Sequence, residues 1–500
     1  MLTSSWSHSP ETRASIAATS EPTPLDPRSG SAALPLAAGH ARRPAMLRSA
    51  WRRRMIRASV RFRNGTGEAI RRGFDIAVAL IVGLLGLLVA LPCWLGLLRS
   101  GEAIVGLPRY GRGGQRFVEY RFRAVPGRWG RCLRALGVDR WPMLWNLLKG
   151  DLTLVGPRAV APDDRLLTER LAARRFSDRP GLVCLWWVRR RANIAYESEL
   201  ESDLEYVESR GWWSNWGIAF RAAVSACWGL STRTEADRIN VLGVSVANRT
   251  MRQALDSIET WSGRKEPRQV CFVNADCANW AARHATYRAC VNQADMTLAD
   301  GIGLKLAGRL LGTHFIENVN GTDLFPRLCA QLQRTQRSLF LLGARPGVAQ
   351  AVADWIDVHF PGVRIAGVRH GYFEPEVADE VVRTIRASRA DIVLVALGAP
   401  RQDLWIREHL HEMGCSVAIG VGGLFDYYSG RVRRAPRWVR ELCLEWLFRF
   451  SQEPSRLWRR YWIGNGVFLV RVLAQRFLGW YQHDSRQDSC ELDVRGKVKP

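Results

Sequence analysis

The segment DIVLVALG, residues 391 to 398, contains six consecutive apolar residues, Ile392 to Leu397, and ends in glycine. A short apolar run of this kind predicts a buried β-strand. Similar runs occur on both sides of it, from residue 239 to about residue 430: INVLGVSV, QVCFVN, SLFLLG, VRIAGV and SVAIGVGG. Helical patterns of ten to fifteen residues separate them. The alternation predicts an α/β fold with a parallel sheet covered on both faces, whose ligands bind at the carboxyl ends of the strands.

The composition points to an anionic partner. The 500 residues are enough for two or three domains, and the formal net charge of +25 comes mostly from arginine. Nucleic acid, anionic lipid and phosphorylated substrates all fit this charge. The eleven cysteines contain no C-x-x-C pair and the nine histidines are dispersed, so we predict neither a disulfide framework nor a metal site built from these residues.

The chain before the sheet contains a basic segment and an apolar run. Residues 1 to 65 are polar and then arginine-rich, and we expect them to be disordered and basic. The run from Ile76 to Leu98 carries no charge and has the length of about 20 residues that a membrane-crossing helix needs. Pro92 lies inside it and arginines flank both ends. A re-entrant helix that bends at the proline and an ordinary spanning helix both remain open.

Two further boundaries follow from changes in composition. A polar cluster, STRTEADR at 231 to 238, separates a predicted small membrane-associated α/β domain at 66–235 from the domain at 236–480. Within the latter, residues 431 to 480 are helical in pattern and rich in Arg and Trp. They are predicted to form a basic appendage that contacts anionic lipid headgroups, with a solvated basic face as the alternative. Residues 481–500 form a polar tail.

The region 70–235 resembles the bacterial sugar transferases, which move a sugar phosphate from a nucleotide sugar onto a polyprenyl phosphate. The matching stretches are RRGFDIAVAL, RYGRGGQRF, EYRFRAV, GRCLRALGVDRWPMLWNLLKGDLTLVGPR and RFSDRPGLVCLWWV. The resemblance implies Asp139 as the nucleophile of a covalent phosphosugar intermediate. Arg134 and Arg158, within the same motifs, are predicted to bind substrate. Attack on a diphosphate also needs nearby positive charge, which the surrounding arginines supply.

The sequence departs from this family next to its nucleophile. The family carries an Asp-Glu pair whose glutamate helps to hold Mg²⁺, but here Arg140 occupies the second position and Trp187 stands where glutamine is common. The resemblance implies Mg²⁺ for the N-terminal domain only and no cofactor elsewhere, but its magnesium-holding role does not carry over to Arg140. Charge reversal at a cation site leaves two interpretations open. The domain either transfers sugar phosphate or is an inactive membrane dock.

Residues 239 to 465 resemble the WecG/TagA/CpsF glycosyltransferase family, which adds a sugar from a nucleotide donor to a lipid-linked acceptor. The resemblance is carried by FVNADCANWA, LADGIGLKLAG, ENVNGTDLFPRLC, LFLLGARPGVAQ, VALGAPRQDLWI, GVGGLFDYYSGRVRRAPRWV and LEWLFRFSQEPSRLWRRY. It implies a Rossmann-like domain and an inverting transfer without a metal, with Asp300 as the base that takes the acceptor proton. A helix N-cap is the structural alternative for Asp300.

The remaining predicted site residues bind donor, acceptor or the departing diphosphate. Gly343 and Gly347 lie between a strand and a helix whose N-terminus suits phosphate. The family motifs further supply Asn274, Asn320, Asp323 and Gln402, with turn or cap roles as the alternative. Arg449, Arg456 and Arg459 match the basic appendage and share one helical face if the helix continues through Pro454. Lipid binding alone is the alternative for these arginines.

Together these patterns predict an enzyme of surface polysaccharide assembly (exopolysaccharide or capsule) at the cytoplasmic face of a bacterial inner membrane. Its predicted partners are a nucleotide sugar, most simply a UDP-sugar, a polyprenyl-phosphate or lipid-linked sugar acceptor, and the membrane. Whether both halves are active or only the second stays open. Nucleic acid is not a predicted partner, since the arginines cluster beside apolar and Trp-rich stretches without a DNA- or RNA-binding motif.

Overall fold

The computed structural model describes residues 66–98, 103–123, 137–164, 172–228, 236–264 and 266–481. All of these belong to one compact unit. The segment predicted to be disordered, residues 1–65, lies outside the described residues, as do most of the proposed boundary at 231–238 and nearly all of the C-terminal tail.

The first region, residues 66–228, combines one long helix with short strands and helices. β1 and β2 pair antiparallel, with Ile104 opposite Phe122, and β3 pairs with β4 in parallel. The elements are α1 (Thr66–Leu98), β1 (Ile104–Tyr110), β2 (Arg116–Phe122), α2 (Met143–Lys149), β3 (Thr153–Val155), α3 (Ala172–Arg175), β4 (Gly181–Val183), α4 (Leu185–Arg191), α5 (Glu199–Ser209) and α6 (Trp212–Trp228). This is a mixed α/β arrangement, as predicted.

Helix α1 continues as one helix past Pro92. Many of its apolar side chains are exposed, among them Leu84 at 74% and Leu88 at 83%. Across the parts of the chain that the structure describes, no helix is both long enough and apolar enough to cross a membrane. Whether this helix enters the membrane stays a prediction.

The motif around Asn146 holds the first region together. Asn146 is fully buried, its side-chain oxygen accepts from the Tyr120 backbone N–H at 3.0 Å, and its amide donates to Asp151 at 3.1 Å. Gly150 ends α2 in the left-handed conformation, at φ 94°, which favours glycine. The stretch LWNLLKGD, residues 144–151, which carries part of the family resemblance, is therefore a packing motif that fixes α2 against β2.

The second region, residues 236–481, is built on an eight-stranded sheet in the order β10-β9-β11-β12-β7-β8-β6-β5. The strands are β5 (Arg238–Val241), β6 (Val244–Ala247), β7 (Arg268–Val273), β8 (Met296–Ala299), β9 (Ser338–Gly343), β10 (Arg364–Arg369), β11 (Ile392–Ala396) and β12 (Val417–Gly420). All neighbours pair in parallel except β5 with β6. The predicted parallel α/β sheet is therefore confirmed.

Helices cover both faces of this sheet. Alternating residues of β11 enter different cores: Ile392 and Leu394 pack on one face, Val393 and Val395 on the other. The helices are α7 (Met251–Ser262), α8 (Ala275–Arg283), α9 (Ala285–Gln293), α10 (Ile302–Leu310), α11 (Gly321–Thr335), α12 (Val348–His359), α13 (Ala378–Ser388), α14 (Arg401–His409), α15 (Leu424–Tyr428), α16 (Arg437–Glu441), α17 (Glu445–Gln452), α18 (Pro454–Trp458) and α19 (Asn465–Leu478). A π-helical turn, Arg459–Gly464, joins α18 to α19.

The run INVLGVSV forms two strands rather than one. Leu242 and Gly243 both have positive φ, 54° and 82°, and turn the chain back so that β5 pairs antiparallel with β6. Consecutive positive φ values are typical of the two-residue turns that match strand twist. Leucine is unusual at the first position of such a turn. The unbroken apolar run therefore gave no sign that the chain turns at Leu242.

Buried ion pairs join the two regions. Arg189 at the end of α4 and Glu441 of α16 are about 1% exposed, and Arg189 Nε lies 3.0 Å from Glu441 Oε1. Arg221 of α6 lies 3.1 Å from the other Glu441 oxygen. Arg437 pairs with Glu205 at 3.0 Å. The first region is therefore packed directly against the C-terminal helices of the second.

Candidate active site

A cavity of about 640 Å³ lies at the carboxyl ends of the sheet strands. Asn274 follows β7, Asp300 follows β8, Gly398 comes shortly after β11 and Gly422 shortly after β12, and all four line it. The position agrees with the rule that ligands of parallel α/β sheets bind outside the carboxyl ends of the strands. Helices α17 and α18 close the cavity from the C-terminal side.

Asp300 is half-buried in this cavity, and its backbone N–H donates to the Val273 carbonyl at 2.8 Å. Among the described residues its carboxylate has neither a hydrogen-bond nor an ion-pair partner. Burial raises the pKa of Asp300 to about 6, with a further contribution from the negative charge of Glu445 and an opposing one from Arg460. The following helix is capped by Gly301, without a side-chain cap bond. Asp300 therefore does not serve as the alternative N-cap.

Asn274 and Asn320 have the structural role that was left open for them. Each caps a helix: the Asn274 side chain accepts from Asp276 and Cys277, at the start of α8, and the Asn320 side chain accepts from Asp323, at the start of α11. Both also line the cavity. Asn318, which the sequence did not single out, lines it as well and accepts from the Gly301 N–H at 2.7 Å. These amides shape the loops around Asp300.

Four guanidinium groups from the C-terminal helices and the turn after them line the cavity. We call this set the arginine wall, and its members are Arg440, Arg449, Arg456 and Arg460. Arg449 lies over the Tyr427 ring at 4.7 Å, and Glu453 contacts both Arg449 and Arg456, at 3.4 and 3.0 Å. Positive charge at this position can stabilise a departing diphosphate.

The helix does not continue through Pro454, so the condition for a shared helical face of Arg449, Arg456 and Arg459 is not met. Helix α17 ends at Gln452, and Pro454 begins α18 at the first helical position, where its missing N–H costs no bond. Because of the break and the π-helical turn that follows, Arg459 is exposed beside Trp458, and it is Arg460 that reaches the cavity. Arg460 lies 3.4 Å from Asp276.

Asp323 is buried and supports the arginine wall from behind. Its carboxylate lies 2.9 Å from Arg440, 2.7 Å from Arg434 and 2.8 Å from the Asn320 amide. Although burial opposes ionisation, these guanidinium groups hold the pKa of Asp323 below its usual range. Asp323 does not line the cavity, so within the described structure its role is to position Arg440.

Gln402 lies at the rim of the cavity, whereas the two glycines that were predicted to bind phosphate lie elsewhere. The Gln402 side-chain oxygen accepts from Gly422 at 2.8 Å and from Gly398 at 3.2 Å, and so joins two loops at the cavity rim. Gly343 and Gly347 do not line the cavity. A Cβ on Gly343 would lie 2.6 Å from the backbone of Ala396, which explains the glycine by close strand packing. Phosphate binding at these glycines stays a prediction.

The first region supplies part of the cavity. Ala192 and Ile194, which follow α4, are lining residues, and the Lys305 ammonium in the cavity donates to the backbone carbonyl of Arg191. Asn193 donates to the Phe315 carbonyl at 3.0 Å. Tyr196 is a hydrogen-bond partner of Asn320 at 3.4 Å. Sequence reasoning missed these contacts because residues more than 100 positions apart form them.

Asp139 lies in a 3₁₀ turn, Val138–Arg140, that follows Gly137 in the left-handed conformation. The Arg140 guanidinium lies 5.3 Å from the centre of the Trp187 ring, and Arg191 lies 3.9 Å from the same ring. Arg134 is outside the described residues. Arg158 pairs with Glu199 and lies over Trp186 at 5.8 Å. Of the two arginines predicted to bind substrate in the first region, Arg158 therefore has a carboxylate partner in the structure.

The residues around Asp139 do not fit Mg²⁺. This ion prefers oxygen ligands, with carboxylates among them. The nearby acid Glu119 is buried and bonded to Arg109 and Arg121, and Arg140 and Arg191 bring further positive charge. Throughout the described ranges, no three His, Cys, Asp or Glu side chains are grouped to hold a metal.

An ionised carboxylate without a partner, facing an arginine wall, suits the transfer of a sugar away from a diphosphate. Residues 239–481 match the glycosyl transferase WecG/TagA/CpsF family, and residues 66–229 match the bacterial sugar transferase family. The protein is therefore a glycosyltransferase. It belongs to the WecG/TagA/CpsF family and carries a bacterial sugar transferase domain fused before it, as the sequence predicted.

Curated relatives carry the name N-acetylglucosaminyldiphosphoundecaprenol N-acetyl-beta-D-mannosaminyltransferase. The protein of Bacillus spizizenii is 37% identical over 191 residues, which are 38% of this chain and 73% of that protein. The protein of Bacillus subtilis is 34% identical over 191 residues, which are 38% of this chain and 73% of that protein. A Staphylococcus aureus protein is 29% identical over 229 residues, 45% of this chain and 89% of its own.

Proposed function

We propose that this protein transfers a sugar from a UDP-sugar to a hydroxyl of a polyprenyl-diphosphate-linked sugar, with inversion, in surface polysaccharide assembly at the cytoplasmic face of a bacterial inner membrane. The observation that carries the proposal is Asp300, a carboxylate without a partner among the described residues, in the same cavity as the arginine wall. The names of the relatives, which state a lipid-diphosphate-linked sugar acceptor, support this class of acceptor.

The chemistry follows from these groups. The Asp300 carboxylate takes the proton of the acceptor hydroxyl while that oxygen bonds to the anomeric carbon of the donor. The bond from the anomeric carbon to the donor diphosphate breaks on the opposite side, and UDP leaves with the electron pair. The arginine wall stabilises the negative charge that develops there, a role in which fixed cations are effective because they need no reorganisation.

The membrane proposal is supported by exposed aromatic residues beside basic ones. Trp458 is 44% exposed, Trp462 69% and Phe477 78%, in a segment that also carries Arg459 and Arg476. Aromatic side chains interleaved with basic ones are typical of segments that lie at the surface of an anionic membrane. The exposed apolar side of α1 supports the same location for the first region.

Sugar-phosphate transfer by Asp139 is the second candidate activity. The positive charges of Arg140 and Arg191 beside it favour this activity, because a diphosphate substrate needs such charges. The missing acidic neighbour opposes it. If Asp139 is inactive, the first region serves as a membrane dock that completes the cavity of the second.

The nucleotide products distinguish these activities. Purified full-length protein would be incubated with a panel of UDP-sugars, beginning with UDP-N-acetylmannosamine, and with either polyprenyl phosphate or N-acetylglucosaminyl-diphosphoundecaprenol. We expect UDP with the lipid-linked sugar. UMP with polyprenyl phosphate would support the second activity, and its absence with every donor would eliminate it. No UDP with any donor and lipid-linked acceptor would refute the main proposal.

The rate of UDP release should fall in acid. Asp300 must be ionised to take a proton, and burial, together with Glu445, raises its pKa to about 6 despite the opposing charge of Arg460. Because the pKa is raised, activity is lost as the pH falls through about 6, above the usual range of an aspartate. A profile of kcat/KM against pH measures this. An acid limb centred near pH 4 would contradict the raised pKa of Asp300, and the absence of an acid limb would contradict its role as the base.

A further inference from the structure

A group of cations lies where the two regions meet. It consists of Arg140 and Arg191 of the first region and Lys305 of the second, and we call it the junction cluster. The Arg140 and Arg191 guanidinium groups share the Trp187 ring, at 5.3 and 3.9 Å, and Lys305 donates to the Arg191 carbonyl. These contacts place three cations from distant parts of the sequence around one location.

The cations of the junction cluster repel one another and are partly removed from water. Burial, with the positive charge of Arg140, lowers the pKa of Arg191 to about 10. Burial also lowers the pKa of Lys305, with contributions from Arg309 and Arg191, and that of Arg140, with a contribution from Arg121. Asp139 acts on both arginines, and Glu119 acts on Arg140 as well. Like charges held close together in half-buried positions are costly, and an anionic ligand would offset that cost.

One donor of the junction cluster lacks a partner. Arg191 Nη1 is buried and makes no hydrogen bond among the described residues. A buried donor that loses water without gaining an acceptor costs about 1–3 kcal/mol, so such a group calls for an explanation. Phosphate oxygens are, together with carboxylate oxygens, the acceptors that a guanidinium group binds most strongly.

The position of the cluster indicates which phosphate it takes. Lys305 lines the cavity of Asp300, together with Ala192 and Ile194, and Arg140 follows Asp139 in the chain. The cluster therefore extends from the glycosyltransferase cavity toward the site of the first region. The arginine wall comes from α16 to α18 and the turn after them, a separate set of elements, and provides positive charge for the diphosphate of the donor.

We propose that the junction cluster binds a diphosphate, that of the lipid-linked sugar acceptor, and so holds the acceptor sugar toward Asp300. This rests on the proposed function. The site is formed by residues of both regions, so it exists only in the fused chain. The nucleotide donor also carries a diphosphate with the same chemistry. The experiment below distinguishes binding of the acceptor diphosphate from binding of the donor diphosphate.

The test uses full-length protein in detergent and the variants Arg191→Gln and Arg190→Gln. Arg190 is the matched control, because it is the preceding residue in the same helix but is exposed over Trp186. Inorganic pyrophosphate is titrated calorimetrically while UDP saturates the donor side. Loss of a charge-assisted hydrogen bond predicts about tenfold weaker pyrophosphate binding for Arg191→Gln, and an unchanged affinity for Arg190→Gln. Equal affinity of Arg191→Gln and the unmodified protein would overturn the site.

Kinetics then identify the source of the diphosphate. We expect Arg191→Gln to raise the KM for the lipid-linked acceptor about tenfold and to leave the KM for the UDP-sugar unchanged. A rise in the UDP-sugar KM alone would overturn the acceptor assignment. If Arg191→Gln does not fold, Lys305→Met replaces it in both measurements with the same expectations. If no acceptor yields UDP, the pyrophosphate titration still decides whether the site exists, separately from the proposed function.

Discussion

Replacing Asp300 with Asn is expected to lower the rate of UDP release by about 10²- to 10⁴-fold, the usual contribution of a general base. The amide keeps the size of the side chain but cannot take a proton. Since the carboxylate has no bonding partner among the described residues, the substitution breaks no contact that stabilises the fold. The effect should therefore fall on kcat, with unchanged thermal stability and unchanged binding to membranes.

The matched control is Asp354→Asn. Asp354 lies on the exposed side of α12, where it accepts from Gln350 at 3.0 Å, so the change removes the same charge far from the cavity. We expect unchanged turnover. If Asp300→Asn keeps more than about a tenth of the activity, another group takes the proton. In that case the assignment of Asp300 as the base fails.

Replacing Glu441 with Ala is expected to destabilise the protein by about 3–5 kcal/mol. The change removes a buried carboxylate that pairs with both Arg189 and Arg221. Glu441 is 1% exposed and lies 3.0 Å from Arg189 and 3.1 Å from Arg221. Glu205 still pairs with Arg189 at 2.6 Å and offsets part of the loss. Thermal unfolding should occur roughly 5–10 °C lower.

Glu380→Ala provides the comparison for this prediction. Glu380 pairs with Arg369 at 3.3 Å, but its side chain is 59% exposed, and exposed pairs contribute at most about 1 kcal/mol. Its melting temperature should stay within about 2 °C of the unmodified protein. A similarly small change for Glu441→Ala would mean that the buried pairs between the regions add little to stability.

The sheet and its general chemistry could be predicted from the sequence because they depend on local patterns. Runs such as SLFLLG and DIVLVALG correspond to β9 and β11 almost residue for residue, since a fully buried strand needs an unbroken apolar run. Asp300 follows a strand and precedes glycine, a local signal that located it at the cavity. The antiparallel β5–β6 hairpin was missed because its turn begins with Leu242.

The remaining parts of the site depend on contacts between distant residues. Which appendage arginine reaches the cavity depends on the break at Pro454 and on a π-helical turn, and this favours Arg460 over Arg459. Ala192, Ile194 and Lys305 meet only when the two regions pack together. No periodicity within either region contains that information.

The loop after α4, residues 192–196, has a consequence for engineering and for evolution. It belongs in sequence to the bacterial sugar transferase domain, but its Ala192 and Ile194 line the cavity of the second region. A chimera whose first region comes from another species would therefore have different residues on this side of the cavity. We expect its choice of acceptor sugar to change, although every residue of the second region stays the same. Recombination that exchanges first regions between genomes would preserve activity only when residues 192–196 are kept together with the second region whose cavity they line.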